Sequence, residues 1–347
     1  MPDVVLTVGG QNYGGWTGVR IQRGIEQVCG QFSLSLTERW RGQDTPWPIA
    51  PGDACAVSVD GHPVITGYVD DVLPQFDAGS HQVQVAGRDA TGDLVDCSAE
   101  NAPGRWEHRT LLQIVAEICR PFGVAVAAVV DVGARFRSFA IQPGESAFEA
   151  IDRACRFRGV LPVADGAGGL LLTGPGPARA PVRIVQGANI LSGYGFFSWR
   201  DRYGSYTVKG CDSGFDDSTP DQNASPVGVA DDPNVSRYRP LVLVAEGPAD
   251  TAKLKQRAIW EAAVRRGRSR RASISVAGWG HAGGVWAPNT LVSVASQWLG
   301  IDGDMLIASV TLTHDEAGTR AELEVCSKEA FAAIAIAEEE ETAGWSA

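Results

Sequence analysis

The stretch from Pro51 to Gly87 constrains the fold most, because its pattern comes twice. Pro51-Gly52-Asp53 opens an alternation of small and apolar residues through Val59 that reads as a half-buried strand. A turn at Gly61-His62-Pro63 leads to a return strand over 64–69, and a turn at Ala78-Gly79-Ser80 leads to a third strand over 83–85. The same elements return between Pro288 and Cys326. A strand over 290–294, a turn around Asp302-Gly303-Asp304, a strand over 305–310, a turn at Ala317-Gly318-Thr319 and a strand over 323–325 follow one another. The first turn is longer in the second copy. Two related antiparallel β-modules account for the repeat; two unrelated meanders would show a similar order, and the pattern alone leaves that alternative open.

A chain of 347 residues has room for two or three domains. Hydrophobic residues at 44% and charged residues at 20% fit a globular protein, and 41 glycines with 19 prolines suit turn-rich β structure. The net charge of −11 argues against a surface that neutralises nucleic-acid phosphates. No apolar run reaches the ~20 residues of a membrane span, and no basic stretch followed by an apolar core opens the chain. The expectation is a protein made in a cytoplasm, without membrane insertion. The seven cysteines are scattered and none forms a C-x-x-C pair, which favours reduced, buried thiols over disulfides or a zinc site.

The expected fold is mainly β with an α+β middle domain: two similar antiparallel β-barrel modules, a small α+β domain and a C-terminal helix. Residues 1–100 form the first module, with clean alternation at Phe32, Leu34 and Leu36. Residues 101–180 form the α+β domain. Thr110 to Arg120 reads as an amphipathic helix stopped by Pro121, Ser146 and Glu149 have capping-box spacing, and Gly159 is placed to cap the second helix. Gly174-Pro175-Gly176-Pro177 reads as a linker. Residues 181–327 form the second module, with a long loop over 212–237 and a helix over 250–266, capped by Asp250 and ended by Gly267. Residues 328–347 form a C-terminal helix and an acidic tail.

Chemistry is hard to find. The five histidines lack metal spacing, and no H-E-x-x-H, G-x-S-x-G or Walker A motif occurs. Acidic pairs such as Asp70 with Asp71 sit in turn-like sequence with nothing to raise a pKa. The expectation is no enzyme, no cofactor and no metal. Two surface features remain. Arg265, Arg266, Arg268, Arg270 and Arg271 crowd the end of the long helix. They suit either the negative end of the helix dipole or contact with an acidic partner surface or passing DNA. Trp40 and Trp47 bracket a polar loop that either packs on its own barrel or meets a partner.

Several segments, taken in order, resemble the Mu-like phage tail baseplate hub proteins. They are Gly87-Arg88-Asp89-Ala90-Thr91-Gly92-Asp93-Leu94-Val95-Asp96-Cys97-Ser98-Ala99, Gln142 to Ile151, Arg158-Gly159-Val160-Leu161, Arg237 to Leu241, Trp260-Glu261-Ala262, Arg266-Gly267-Arg268-Ser269 and Trp286-Ala287-Pro288-Asn289. The resemblance runs from near residue 1 to about Phe331, and no single motif in it is catalytic.

It implies a homotrimer at the tip of a contractile tail, in which two barrels per subunit give six around a ring. Such a ring joins a trimeric spike to the tail tube and baseplate and lets DNA pass. The place of work is then the virion, after assembly in the host bacterial cytoplasm. No β-rich spike segment follows residue 341, so the spike is expected to be a separate protein. From position and resemblance, Arg88 and Asp93 are expected to fix the junction between the first barrel and the middle domain. Two alternatives are a tail-tip peptidoglycan hydrolase, which needs a catalytic carboxylate, and a carbohydrate-binding module using the Trp40–Trp47 loop.

Overall fold

Strand alternation buries one face of the first module. The computed structural model describes residues 3–37, 48–77, 81–100, 104–210, 226–245 and 250–334. β1 (Val4–Val8) turns Val4, Leu6 and Val8 inward, and β2 (Gln11–Tyr13) returns over it. β3 (Gly18–Gly24), β4 (Gln31–Thr37), β5 (Ala54–Val59), β6 (His62–Phe76) and β7 (His81–Asp89) complete the module in the order β3-β4-β7-β6-β5-β1-β2. Asp60 and Gly61 join β5 to β6 with φ of 49° and 78°, the left-handed pair that a two-residue hairpin requires. His62 and Pro63, expected in that turn, already belong to β6. At 15 residues β6 also outruns its expected end. Its first part pairs with β5 and its second with β7, and a bulge between Val69 and Asp71 re-aims it.

The chain then leaves this sheet and builds a second core. α1 (Gly92–Asp96), β8 (Arg105–Glu107), α2 (Leu111–Cys119), β9 (Val126–Ala128), β10 (Ser138–Ala140), α3 (Ala147–Arg158), β11 (Leu161–Ala164) and β12 (Leu170–Thr173) enclose Leu94, Trp106, Ile114, Phe136, Ile151 and Leu172. Thr110 and Ser146 both close full capping boxes, with Gln113 and Glu149. Gly159 ends α3 at φ 66°, a left-handed position that glycine fills without strain.

The second module repeats the first. β13 (Ala178–Val185) and β14 (Ile190–Phe197) come before an insertion of β15 (Ser205–Lys209), β16 (Val227–Asp231), β17 (Pro240–Val244) and α4 (Thr251–Arg268). After it come β18 (Arg270–Ala277), the short hairpin β19 (Gly280–His281) and β20 (Gly284–Val285), then β21 (Thr290–Ser296), β22 (Ile301–Asp315) and β23 (Gly318–Cys326). The pairing order β14-β18-β23-β22-β21-β13 reproduces β3-β4-β7-β6-β5-β1. One strand is reversed, since β1 runs antiparallel to β5 whereas β13 runs parallel to β21. In the insertion, Tyr206 and Val208 of β15 pack on Leu254 and Ala258 of α4.

Four local expectations change. Asp302-Gly303-Asp304 is strand, not turn: the turn lies at Gln297–Gly300, and Asp302 and Asp304 pair with Arg183 and Arg179 of β13. The expected loop over 212–237 contains β16, which pairs with β15, while 211–225 lie outside the described residues. Gly267 does not end α4, which runs on to Arg268; a Cβ there would sit 2.4 Å from the Ala330 nitrogen, so glycine allows the backbones to touch. The expected helix over 328–341 is one 3-10 turn, Lys328–Phe331, followed by non-helical residues to 334, and the rest lies outside the described residues.

Candidate assembly surface

The two modules meet strand to strand. Ser309 to His314 of β22 pair antiparallel with Gly24 to Val19 of β3, which makes one sheet of 13 strands and one apolar cluster shared by both modules. Val310, Leu312, Val19 and Ile21 are buried at this joint.

The modules agree in register as well as in order. In β6 and β7, Val69 faces Gly87 and, past the bulge, Asp71 faces Ala86. In β22 and β23, Ile307 faces Val325 and, past the same bulge, Ser309 faces Glu324. Laying Val69 on Ile307 and Gly87 on Val325 therefore lays Asp71 on Ser309 and Ala86 on Glu324. Carried across β4 and β18, the match places Gly18 of β3 on Ser192 of β14. So β6 corresponds to β22, and β14 to β3.

Those counterparts lack each other. Among the described residues no strand pairs with the outer edge of Asp71 to Phe76, or with the free edge of β14. Leu73 is 53% exposed, Phe76 81%, Tyr194 69% and Phe196 53%, whereas Leu312 and Ile21 at the closed joint are 2% and 1% exposed. Large apolar side chains left out in a row on a sheet edge are costly unless something covers them.

Four of the five clustered arginines bond acceptors within the chain. Arg265 bonds the carboxylate of buried Glu261 at 3.1 Å, and Arg257 reaches the same group from the preceding turn. Arg268 donates to the Ala330 carbonyl at 3.3 Å and Arg270 to that of Gly300 at 2.8 Å. Arg271 binds Glu26 at 2.6 Å, tying β18 to the turn after β3. The Arg266 side chain is exposed and makes no hydrogen bond among the described residues. Trp40 and Trp47 lie outside the described residues.

At the barrel–domain junction, Arg88 spans Asp70 of β6 and Asp96 at the end of α1, each at 2.8 Å. These bonds raise its pKa, and Arg88 holds the Asp96 carboxyl below the usual range. Asp93 is half-buried, and its side chain makes no hydrogen bond among the described residues. The residue that sequence reading passed over is Asp89. It is 2% exposed and accepts from the Gly30 amide at 2.5 Å, the Thr91 amide at 2.9 Å and the Thr91 hydroxyl. Burial pushes its carboxyl up, against the pull of those donors and of Arg23. Arg23 itself reaches across to the Ala164 carbonyl of the middle domain at 3.2 Å. Asp89 followed at two residues by Thr91, at a strand end, was the available signal.

No group of three metal-ligating side chains occurs among the described residues, and no helix there is long and apolar enough to cross a membrane. Burial pushes the thiols of Cys29, Cys55, Cys119 and Cys326 up to about 12, which leaves them protonated and unreactive near neutrality.

Known proteins share this arrangement. Residues 3–89 match the model for the Mu phage baseplate assembly protein GpP-like N-terminal domain. Residues 91–174 match that for the baseplate hub protein gp44-like second domain, and residues 250–333 that for the GpP fourth domain. The baseplate hub protein gp44 of Escherichia phage Mu is 34% identical over 338 residues, spanning 94% of this chain and 88% of that protein. The crystal structure of the 43 kDa tail protein of prophage MuSo2 from Shewanella oneidensis superposes with a TM-score of 0.85 at 35% identity, covering 96% of this chain and all of that one. A tail protein from Neisseria meningitidis has the same fold, with a TM-score of 0.80 at 22% identity over 96% of this chain and 99% of that one. With this coverage from end to end, the chain belongs to the Mu-like phage baseplate hub protein family.

Proposed function

We propose that three copies of this chain close into a ring of six modules at the tip of a contractile tail. The ring joins the six-fold tail tube to a trimeric spike and lets DNA pass. The observation that carries this reading is the match of strand order and register between the modules, together with the joint between β22 and β3. A contact between unlike surfaces repeats head to tail until it closes. Modules this similar can stand in near-equivalent places around a ring while the chain itself obeys three-fold symmetry. One face is then presented to a six-fold partner and one to a three-fold partner.

The surface opposite the cores fits a channel wall. Along the joined sheet it presents Ser33, Gln84, Ser273, Thr313, Glu322 and Glu324, with exposed Arg20 between Ser33 and Thr313. Hydroxyls, amides and carboxylates outnumber the cations there, so a polyanion would find few sites for the counterion release that drives tight binding. The role is structural, and no residue is assigned to catalysis.

Light scattering of the purified chain at micromolar concentration tests the ring. The expected mass is three times 36.7 kDa, with a six-fold outline in negative-stain images. Release of soluble muropeptides from purified peptidoglycan would instead make the protein a tail-tip hydrolase.

A further inference from the structure

We infer that one end of the insertion in the second module is a docking surface for a carboxylate-rich protein partner, formed by Arg200, Arg237, Arg266, Trp199 and Tyr238. Three segments meet there: the turn at 199–203 after β14, the loop at 232–239 between β16 and β17, and the last turn of α4. They hold seven arginines against two carboxylates, Asp201 and Asp232, with Asp231 and Glu261 flanking them, in a chain whose net charge is −11.

The arginines divide into two sets, and the first builds a platform. Arg202 pairs with buried Asp232 and lies over the Trp199 ring, 5.3 Å from its centroid. Arg239 donates to the Arg200 and Arg202 carbonyls at 2.8 and 3.0 Å, and Arg265 to that of Asp201 at 3.4 Å. Both also lie over Tyr203, at 5.2 and 5.5 Å from the ring centroid. The second set is free. The side chains of Arg200, Arg237 and Arg266 are exposed and make no hydrogen bond or ion pair among the described residues. Arg266 is near enough to the loop to help keep Asp232 ionised, so it shares the patch. Tyr238 is 93% exposed and Trp199 43%. Beyond Pro240, Val242 and Val244 extend the surface on the side of β17 away from α4, at 56% and 67% exposed.

Arginine, tyrosine and tryptophan carry much of the binding energy at protein interfaces, and an apolar strip edged by charge is the usual anatomy of such a site. A guanidinium fork matches a carboxylate with two parallel bonds. Duplex DNA needs cations spaced along its phosphates. Three free arginines around a protruding tyrosine, bordered by valines, instead offer one compact contact, which favours a protein. The inference does not depend on the ring.

Fluorescence anisotropy of a labelled twenty-residue oligoglutamate, titrated with the full chain at low salt, tests it. Saturable binding is expected, weakened about tenfold or more in Arg237→Glu/Arg266→Glu. Lys253→Glu/Lys255→Glu makes the same charge change at the other end of α4 and should alter binding by less than about twofold. None of the four side chains makes a bond among the described residues, so both variants keep the parent fold. No binding, or equal loss in the two variants, overturns the patch. Tighter binding of a twenty-base-pair duplex, lost in the arginine variant, makes it a phosphate surface and overturns the protein partner. A smaller mass in solution for the arginine variant than for the parent makes the occupant a second copy and overturns it equally.

Discussion

Asp89 and Asp93 lie four residues apart in the same glycine-rich segment, and the structure predicts opposite outcomes for their removal. In Asp89→Ala the amides of Gly30 and Thr91 lose their acceptor inside the protein, while the Thr91 hydroxyl keeps the Val28 carbonyl at 3.3 Å. Each stranded buried donor costs about 1–3 kcal/mol. Release of a carboxylate that burial disfavours returns part of this, so the net loss is about 3 kcal/mol. At about 2–4 °C per kcal/mol for a large domain, the melting temperature falls by roughly 6–12 °C. In Asp93→Ala no side-chain hydrogen bond is lost, and a change within about 0.5 kcal/mol follows, under ~2 °C. Both variants and the parent are to be compared by calorimetry at one concentration and pH, since association shifts apparent stability by mass action. If Asp89→Ala melts within 2 °C of the parent, the junction is not held by that carboxylate. If Asp93→Ala falls as far as Asp89→Ala, the junction depends on both carboxylates.

Other sites give independent tests. Leu312→Ala hollows the joint between modules, where Leu312 is 2% exposed, and should cost about 2–5 kcal/mol in urea unfolding; a midpoint like the parent's would mean that the modules do not depend on that contact. The Arg202–Asp232 pair is buried, with bonds of 2.7 and 3.0 Å. Burial alone would raise the Asp232 carboxyl, but Arg202 and the Asn234 amide hold it below 3.8. Because the folded value is depressed, the pair stabilises fully above the unfolded value of 3.8, and the contribution disappears as pH falls through the lower folded value. Asp232→Asn should therefore lose stability at pH 7 and lose progressively less towards pH 3, and a pH-independent deficit would refute the assignment. In Gly228→Ala the new Cβ would lie 2.1 Å from the Leu254 carbonyl carbon. Amide exchange in α4 should then accelerate while the large sheet stays protected; unchanged protection of α4 would show that the helix can step aside at no cost.

Much of the fold could be read from residue patterns because alternation and turn chemistry agree along most of the chain. The strands of β5 and β21, the two capping boxes and the glycine cap of α3 follow from local sequence alone. The length of β6 and β22 does not. Asp70-Asp71 and Asp302-Gly303-Asp304 look like turns, since aspartate and glycine prefer them. Here Asp302, Gly303 and Asp304 stay extended because they pair with Ala295, Val294 and Ser293 of β21, with Arg183 and Arg179 of β13 reaching the two carboxylates, contacts with no trace in the local pattern. Gly267 misled in the same way: its value to the fold is the close approach of Ala330, about sixty residues on, and not a helix end.

The assembly surface was partly visible too, but as a repeat and not as a list of residues. Density made the arginines conspicuous, yet four of the five meet acceptors within the chain: Arg265 bonds Glu261 of its own helix, and Arg268, Arg270 and Arg271 fasten α4 and β18 to neighbouring segments. The large apolar residues left exposed on those edges, Leu73, Phe76, Tyr194 and Phe196, sit in strands whose alternation does not single them out. Their exposure follows from topology. Two like modules in series use one joint internally and leave one unpaired edge of each kind at the ends. Such a chain either adds copies without end or closes, and it closes at six modules if each joint turns the sheet by one sixth of a circle. Divergence between the modules then costs nothing so long as the joint geometry holds. The strand register around the joint has been kept, whereas the insertion between β14 and β18, with its own sheet and helix, is free to differ.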